Sequence, residues 1–97
     1  MAKLAIVATI KVVARKRDVY LRHLSAHAER CRATEPGTLR FDIMLPHNDA
    51  DAVLLYEVYE SPEAFTAHVN GASMRQIRAD ATGLQVSMAG TRCELVE

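Results

Sequence analysis

Hydrophobic residues along this chain follow two alternating periods, and the switches between them define the elements. Leu4 to Val13 (LAIVATIKVV) is rich in Val, Ile and Thr and contains no Gly or Pro, which predicts a strand rather than a buried helix. Leu4, Ile6, Ala8, Ile10 and Val12 share one face. Ala5, Val7, Thr9 and Val13 share the other, interrupted by Lys11. From Lys16 to Thr34 the period lengthens. Tyr20, Leu21, Leu24, Ala28 and Cys31 recur at steps of three and four, the stripe of an amphipathic helix, while Arg17, Arg22, Glu29, Arg30 and Arg32 face away. Glu35-Pro36-Gly37 ends that helix, since Pro cannot continue it and Pro-Gly suits a tight turn.

Alternation returns in Thr38 to Leu45 (TLRFDIML) and in Val53 to Tyr59 (VLLYEVY), two strands joined by the turn residues Pro46 to Asp51. Ser61-Pro62-Glu63 carries a helix start: a capping hydroxyl, a ring pre-set for the first turn and an acid for the positive end. A short helix is expected over Ala64 to Val69, broken near Gly71 and resumed from Ser73 to Ala81, with Gly83 as its stop. Leu84 to Val96 reads as a fourth strand, bulged at Gly90. The order β-α-β-β-α-β predicts an α+β, ferredoxin-like domain with both helices on one face of a four-stranded antiparallel sheet. Strand VLLYEVY has Val53, Leu55 and Tyr59 on one side and Leu54, Tyr56 and Val58 on the other. Two short helices cover only one face, so the second is expected to be covered by another copy of the chain, in a homodimer.

Composition narrows the class. The 97 residues are expected to form one domain, 1–97, and 49% apolar with 25% charged residues is globular composition. Twelve basic and twelve acidic residues give no net charge, which argues against a nucleic-acid or anionic-membrane partner. No apolar run approaches the ~20 residues of a spanning helix. Met1 to Val13 lacks a small-residue cleavage site and reads as a strand rather than a leader, so the cytoplasm is the expected compartment. Cys31 and Cys93 fit no metal or redox spacing and are expected to be buried, reduced thiols.

Few residues invite chemistry. Glu57 lies inside a strand, where a carboxylate is costly unless paired. Burial would raise its pKa and suit it to act as a base, and the alternative is an ion pair with Arg40 or Arg92. His68 shares a helical face with Ala64, Phe65 and Val69, so it borders the sheet, as a base, a hydrogen-bond donor to substrate or a satisfied rim residue. His27 stands at the edge of the first helix's stripe, reaching either between helix and sheet or into solvent. His23 and His47 read as surface. The pair His23 and His27 has no accompanying carboxylate set, so no metal site is expected, and four scattered glycines make no phosphate loop. Cys31 has no evident activating partner.

The segments EPGTLRFDI (Glu35 to Ile43) and LLYEVYESPEAFTAHVNG (Leu54 to Gly71) resemble the antibiotic biosynthesis monooxygenase family, in particular its quinol monooxygenase branch, and the resemblance runs from the first strand to GTRCELVE. It implies a ferredoxin-like homodimer. It also implies a cavity between sheet and helices in which a small quinol or phenolic substrate meets molecular oxygen without metal or flavin. By that resemblance His68 and Glu57 are candidate catalytic residues and Phe41, Tyr56 and Tyr59 candidate substrate contacts, to which the spacing of the first helix adds His27. Many relatives carry a second histidine a few residues beyond the one matching His68, where this chain has Ser73. Haem-degrading relatives have a Trp where this chain has Tyr59 and a haem-binding His near Arg78, so haem degradation is not expected. Two other readings share the pattern: isomerisation of a small phosphorylated dione, as in autoinducer-2 breakdown, and non-catalytic binding of a small ligand.

Overall fold

The computed structural model describes residues 2–97. Met1, the first residue of the segment weighed above as a leader, lies outside them. The elements are β1 (Leu4–Val12), α1 (Arg17–Thr34), β2 (Thr38–Met44), β3 (Ala52–Tyr59), α2 (Pro62–Val69), α3 (Ala72–Asp80) and β4 (Gln85–Glu94). The four strands form one antiparallel sheet in the order β2-β3-β1-β4, the ferredoxin-like arrangement.

Register decides which side chains meet. Ile6 pairs with Glu57, and Glu57 with Phe41, so these three stand in one row across β1, β3 and β2. The neighbouring row holds Ala8, Leu55 and Ile43. Side chains alternate along a strand, so this parity turns Leu4, Ile6, Ala8, Ile10 and Val12 toward the helices. They join Tyr20, Leu24, Ala28, Val53, Leu55, Tyr59 and Ile77 in the buried core. The second helical segment splits as the sequence suggests: Ser61 Oγ accepts the Ala64 amide at 3.1 Å to cap α2, Pro62 takes its first turn, and α3 begins after Gly71.

The bulge falls elsewhere than expected. Gly90 pairs regularly with Ala8, and the register shift lies between Lys11 and Val12, opposite Ser87 and Gln85, where Val86 is the extra residue. Gly37 matters for a different reason. A Cβ there would sit 2.5 Å from the Ala64 Cβ, so the α1–β2 turn and α2 approach as closely as only glycine allows.

The face away from the helices is partly apolar. Val7 is 49% exposed there, beside half-buried Leu54 and Tyr56. No helix among the described residues is long and apolar enough to cross a membrane.

Candidate active site

A cavity of about 520 Å³ opens between the helices and the sheet. Ile6, Ile10, Leu24, Leu55, Phe65 and Ile77 give it apolar walls, Met88 and Arg78 stand on its lining, and Glu57, His27 and His68 bring the polar chemistry. Register places Glu57 on this side of β3, α1 delivers His27, and α2 delivers His68.

His68 is only 2% exposed, and its Nδ1 lies 2.8 Å from Glu35 Oε1. An ionised carboxylate only accepts, so the neutral ring carries its proton on Nδ1 and presents the Nε2 lone pair. That nitrogen faces Glu57 Oε1 at 4.0 Å, too far for a hydrogen bond. Glu35 is itself held by Thr38, whose Oγ1 donates to Oε1 at 2.7 Å.

The second histidine has its own polar partners. Arg30 Nε donates to Ser73 Oγ at 2.9 Å, and the same oxygen lies 2.8 Å from His27 Nδ1, within hydrogen-bond reach. Burial, reinforced by nearby His68 and Arg30, brings its pKa down to about 4 and keeps the ring neutral. His27 is therefore a buried residue, 2% exposed, and the solvent-edge alternative does not hold. The two rings lie 5.5 Å apart between centroids, and Phe41 meets His27 edge-on at 5.4 Å.

Among the described residues Glu57 has no arginine partner. Arg40 lies on the opposite face, bound to Asp42 and stacked over Tyr56 at 5.4 Å, and Arg92 stacks over Phe65 at 5.1 Å. The Tyr59 hydroxyl instead donates to Glu57 Oε1. Burial raises the Glu57 pKa, with that hydrogen bond and His68 acting against it. Burial and the adjoining carboxylate push Tyr59 upward, so the phenol keeps its proton.

The candidate substrate contacts separate. Phe41 and His27 line the cavity. Tyr59 is fully buried behind Glu57. Tyr56 is a correction: paired with Val7 and Asp42, it stands on the far face of the sheet, away from the cavity. Cys31 is buried as expected, but Cys93 is only half-buried on the edge strand. Cys31 Sγ lies 3.6 Å from nitrogens of both His27 and His68. Burial pushes this thiol up to about 12, so it is no nucleophile at neutral pH.

Sequence reasoning missed Glu35, Thr38 and Arg30. Glu35 was legible only as a helix terminator, yet an acid at a helix C-terminus opposes the helix dipole, and that mismatch is the signal of another task.

The sequence profile of the antibiotic biosynthesis monooxygenase family matches residues 4–80, and the chain belongs to that family. Solved structures agree on the fold. A candidate antibiotic biosynthesis monooxygenase of Nitrosomonas europaea superposes with a TM-score of 0.91 at 21% identity, over 98% of this chain and 91% of its own. One from Caulobacter crescentus gives 0.91 at 21% identity, over 99% and 92%. One from Chloroflexus aurantiacus gives 0.87 at 21% identity, over 99% and 95%. No match to a curated protein was found.

Proposed function

We propose that the chain is a monooxygenase for a small quinol or related phenolic compound, using molecular oxygen and a protein base in place of a metal or flavin. The observation that carries this reading is the Glu35–His68 pair at the polar end of an apolar cavity. A phenol bound there meets the Nε2 lone pair of His68. Loss of its proton makes an electron-rich phenolate, and His27 on the cavity lining is proposed to hold the oxyanion. The phenolate passes one electron to oxygen, and the substrate radical and superoxide combine at a ring carbon with return of the proton. The hydroperoxide then loses water. A quinol plus oxygen thus becomes a hydroxyquinone plus water, with four electrons leaving the substrate. The apolar walls exclude bulk water from the anion.

His68 and Glu57 are the proposed catalytic residues, with Glu57 available to take or return a proton. Phe41 and His27 are the proposed substrate contacts, and Glu35 is proposed to position His68. The 97 residues act as one domain in this reading, and two copies pair through the sheet face that carries Val7 and Leu54. The test is oxygen uptake by purified protein with a panel of quinols and anthrones, beside a thermal-shift screen of the same compounds. Uptake with insertion of one oxygen atom, giving the hydroxyquinone from a quinol or the anthraquinone from an anthrone, supports the reading. Thermal stabilisation without turnover supports a binding protein instead.

A further inference from the structure

Beyond proton chemistry, the same corner of the fold collects metal-binding atoms that the sequence keeps apart. His27, Cys31 and Glu35 follow one another at intervals of four along α1 and its C-cap, so they lie in line on one side of the helix. His68 arrives from α2. One donor atom each from His27, Cys31 and His68 lies within 4.8 Å of the others, and all three residues are buried.

The spacing fits a particular ion class. Zinc–sulfur and zinc–nitrogen bonds of about 2.3 and 2.0 Å at a tetrahedral angle set sulfur and nitrogen roughly 3.5 Å apart. Cys31 Sγ is 3.6 Å from His68 Nδ1 and 3.6 Å from His27 Nε2. Outer partners are in place as well. Ser73 holds His27 Nδ1 at 2.8 Å, the position from which a hydrogen bond fixes a ligating imidazole. Glu57 faces His68 Nε2 at 4.0 Å. The Glu35 carboxylate is hydrogen-bonded to His68 Nδ1.

We propose that His27 Nε2, Cys31 Sγ and His68 Nδ1 form a binding site for one borderline-soft divalent cation of the zinc class. A set of two imidazoles and one sulfur suits zinc or cobalt and not magnesium or calcium, which need oxygen donors. Binding releases the Cys31 thiol proton to solvent. Each imidazole hands its ligating nitrogen to the ion and carries its proton on the other nitrogen: His27 Nδ1–H to Ser73, His68 Nε2–H toward Glu57. The loaded protein therefore has no free lone pair on His68. If His68 is the base of the proposed oxygenase, the cation is an inhibitor competitive with substrate. That consequence rests on the proposed function, while the binding itself does not.

The experiment titrates chelator-stripped protein with cobalt(II), followed by zinc(II), without any substrate. One cobalt per chain is expected, with thiolate-to-cobalt charge-transfer absorption and the intense visible bands of tetrahedral cobalt, both erased by one equivalent of zinc. Cys31→Ser should abolish the charge-transfer absorption and weaken binding by more than ~10²-fold, beyond the ~10–10²-fold of losing a partner that only orients a ligand. Cys93→Ser should leave the spectrum intact. X-ray absorption of zinc-loaded native protein should show one sulfur among nitrogen and oxygen neighbours, a readout that needs no variant to fold. Absence of stoichiometric uptake, a sulfur-free zinc shell, or charge-transfer absorption lost with Cys93→Ser rather than Cys31→Ser overturns the proposal. Failure of quinol oxidation in the stripped protein overturns the proposed function and leaves the metal site standing.

Discussion

Glu35 Oε1 accepts a hydrogen bond from His68 Nδ1 at 2.8 Å, joining the end of α1 to the last turn of α2. One carboxylate thus sets which ring nitrogen holds the proton and which is free. If His68 is the base, His68→Ala should lower oxygen uptake by ~10²-fold or more with the fold retained. Glu35→Gln, which still accepts from Nδ1, should be milder than Glu35→Ala, which frees the ring to flip. Equal turnover in native protein and His68→Ala would remove this histidine from the chemistry.

Glu57 invites a split between activity and stability. Its neighbours are a phenol and a histidine rather than an arginine. Replacing it by Gln removes a buried charge without stranding a countercharge. Glu57→Gln should hold or raise the melting temperature while turnover falls. Tyr59→Phe should instead cost ~1–3 kcal/mol, because the buried carboxylate loses its donor. A large loss of stability in Glu57→Gln would point to an ion pair that the structure does not contain.

Acid should weaken the metal-free fold through His27. Its pKa is about 4 in the folded chain, held down by burial with His68 and Arg30 nearby and opposed by Ser73 and Glu35. Unfolded, it returns to the ordinary value near 6.5. Between these two values the unfolded chain binds the extra proton, so stability rises with pH. The contribution is complete above about pH 6.5 and lost as pH falls toward 4, amounting to roughly 3 kcal/mol at most. Urea titrations of chelator-treated protein across that window should show the slope, and His27→Gln should flatten it.

Gly37 sets the distance between the turn that bears Glu35 and the helix that bears His68. An added Cβ meets Ala64 at 2.5 Å, and neither side is a flexible chain that could swing away. Gly37→Val should cost ~1–3 kcal/mol by overpacking. It should also reduce turnover per folded molecule, since α2 must retreat from Glu35. A native melting temperature in this variant would show the approach to be looser than described.

Oligomeric state is checked by light scattering at micromolar concentration. The proposed dimer gives twice the 10.7 kDa of one chain. Val7→Arg, on the exposed sheet face, should shift the population to monomer. A monomeric native protein would leave that face without its proposed cover.

The fold was legible because alternation and helical spacing are properties of consecutive residues. Leu4, Ile6 and Ile10 announce their shared face without reference to anything distant, and Ser61-Pro62 announces a helix start by local chemistry alone. The site was legible only in part. Strand parity already sets Tyr56 opposite Glu57, so its distance from the cavity could be read, although resemblance alone had suggested it as a contact. His27 was ambiguous because a stripe edge can face a neighbour or solvent, and only the packed α3 with Ser73 decides. Glu35 and His68 meet across 33 positions, a pairing that no local pattern encodes.

The row formed by Ile6, Glu57 and Phe41 is fixed by backbone pairing and not by what the side chains are. It works as an address. At 21% identity most side chains have changed between this chain and its Nitrosomonas counterpart, yet a TM-score of 0.91 keeps the backbone addresses in place. Chains of this fold can then be compared by asking which residue occupies the middle of that row. Two chains that share the address and differ in its occupant are the natural pair for exchanging that residue.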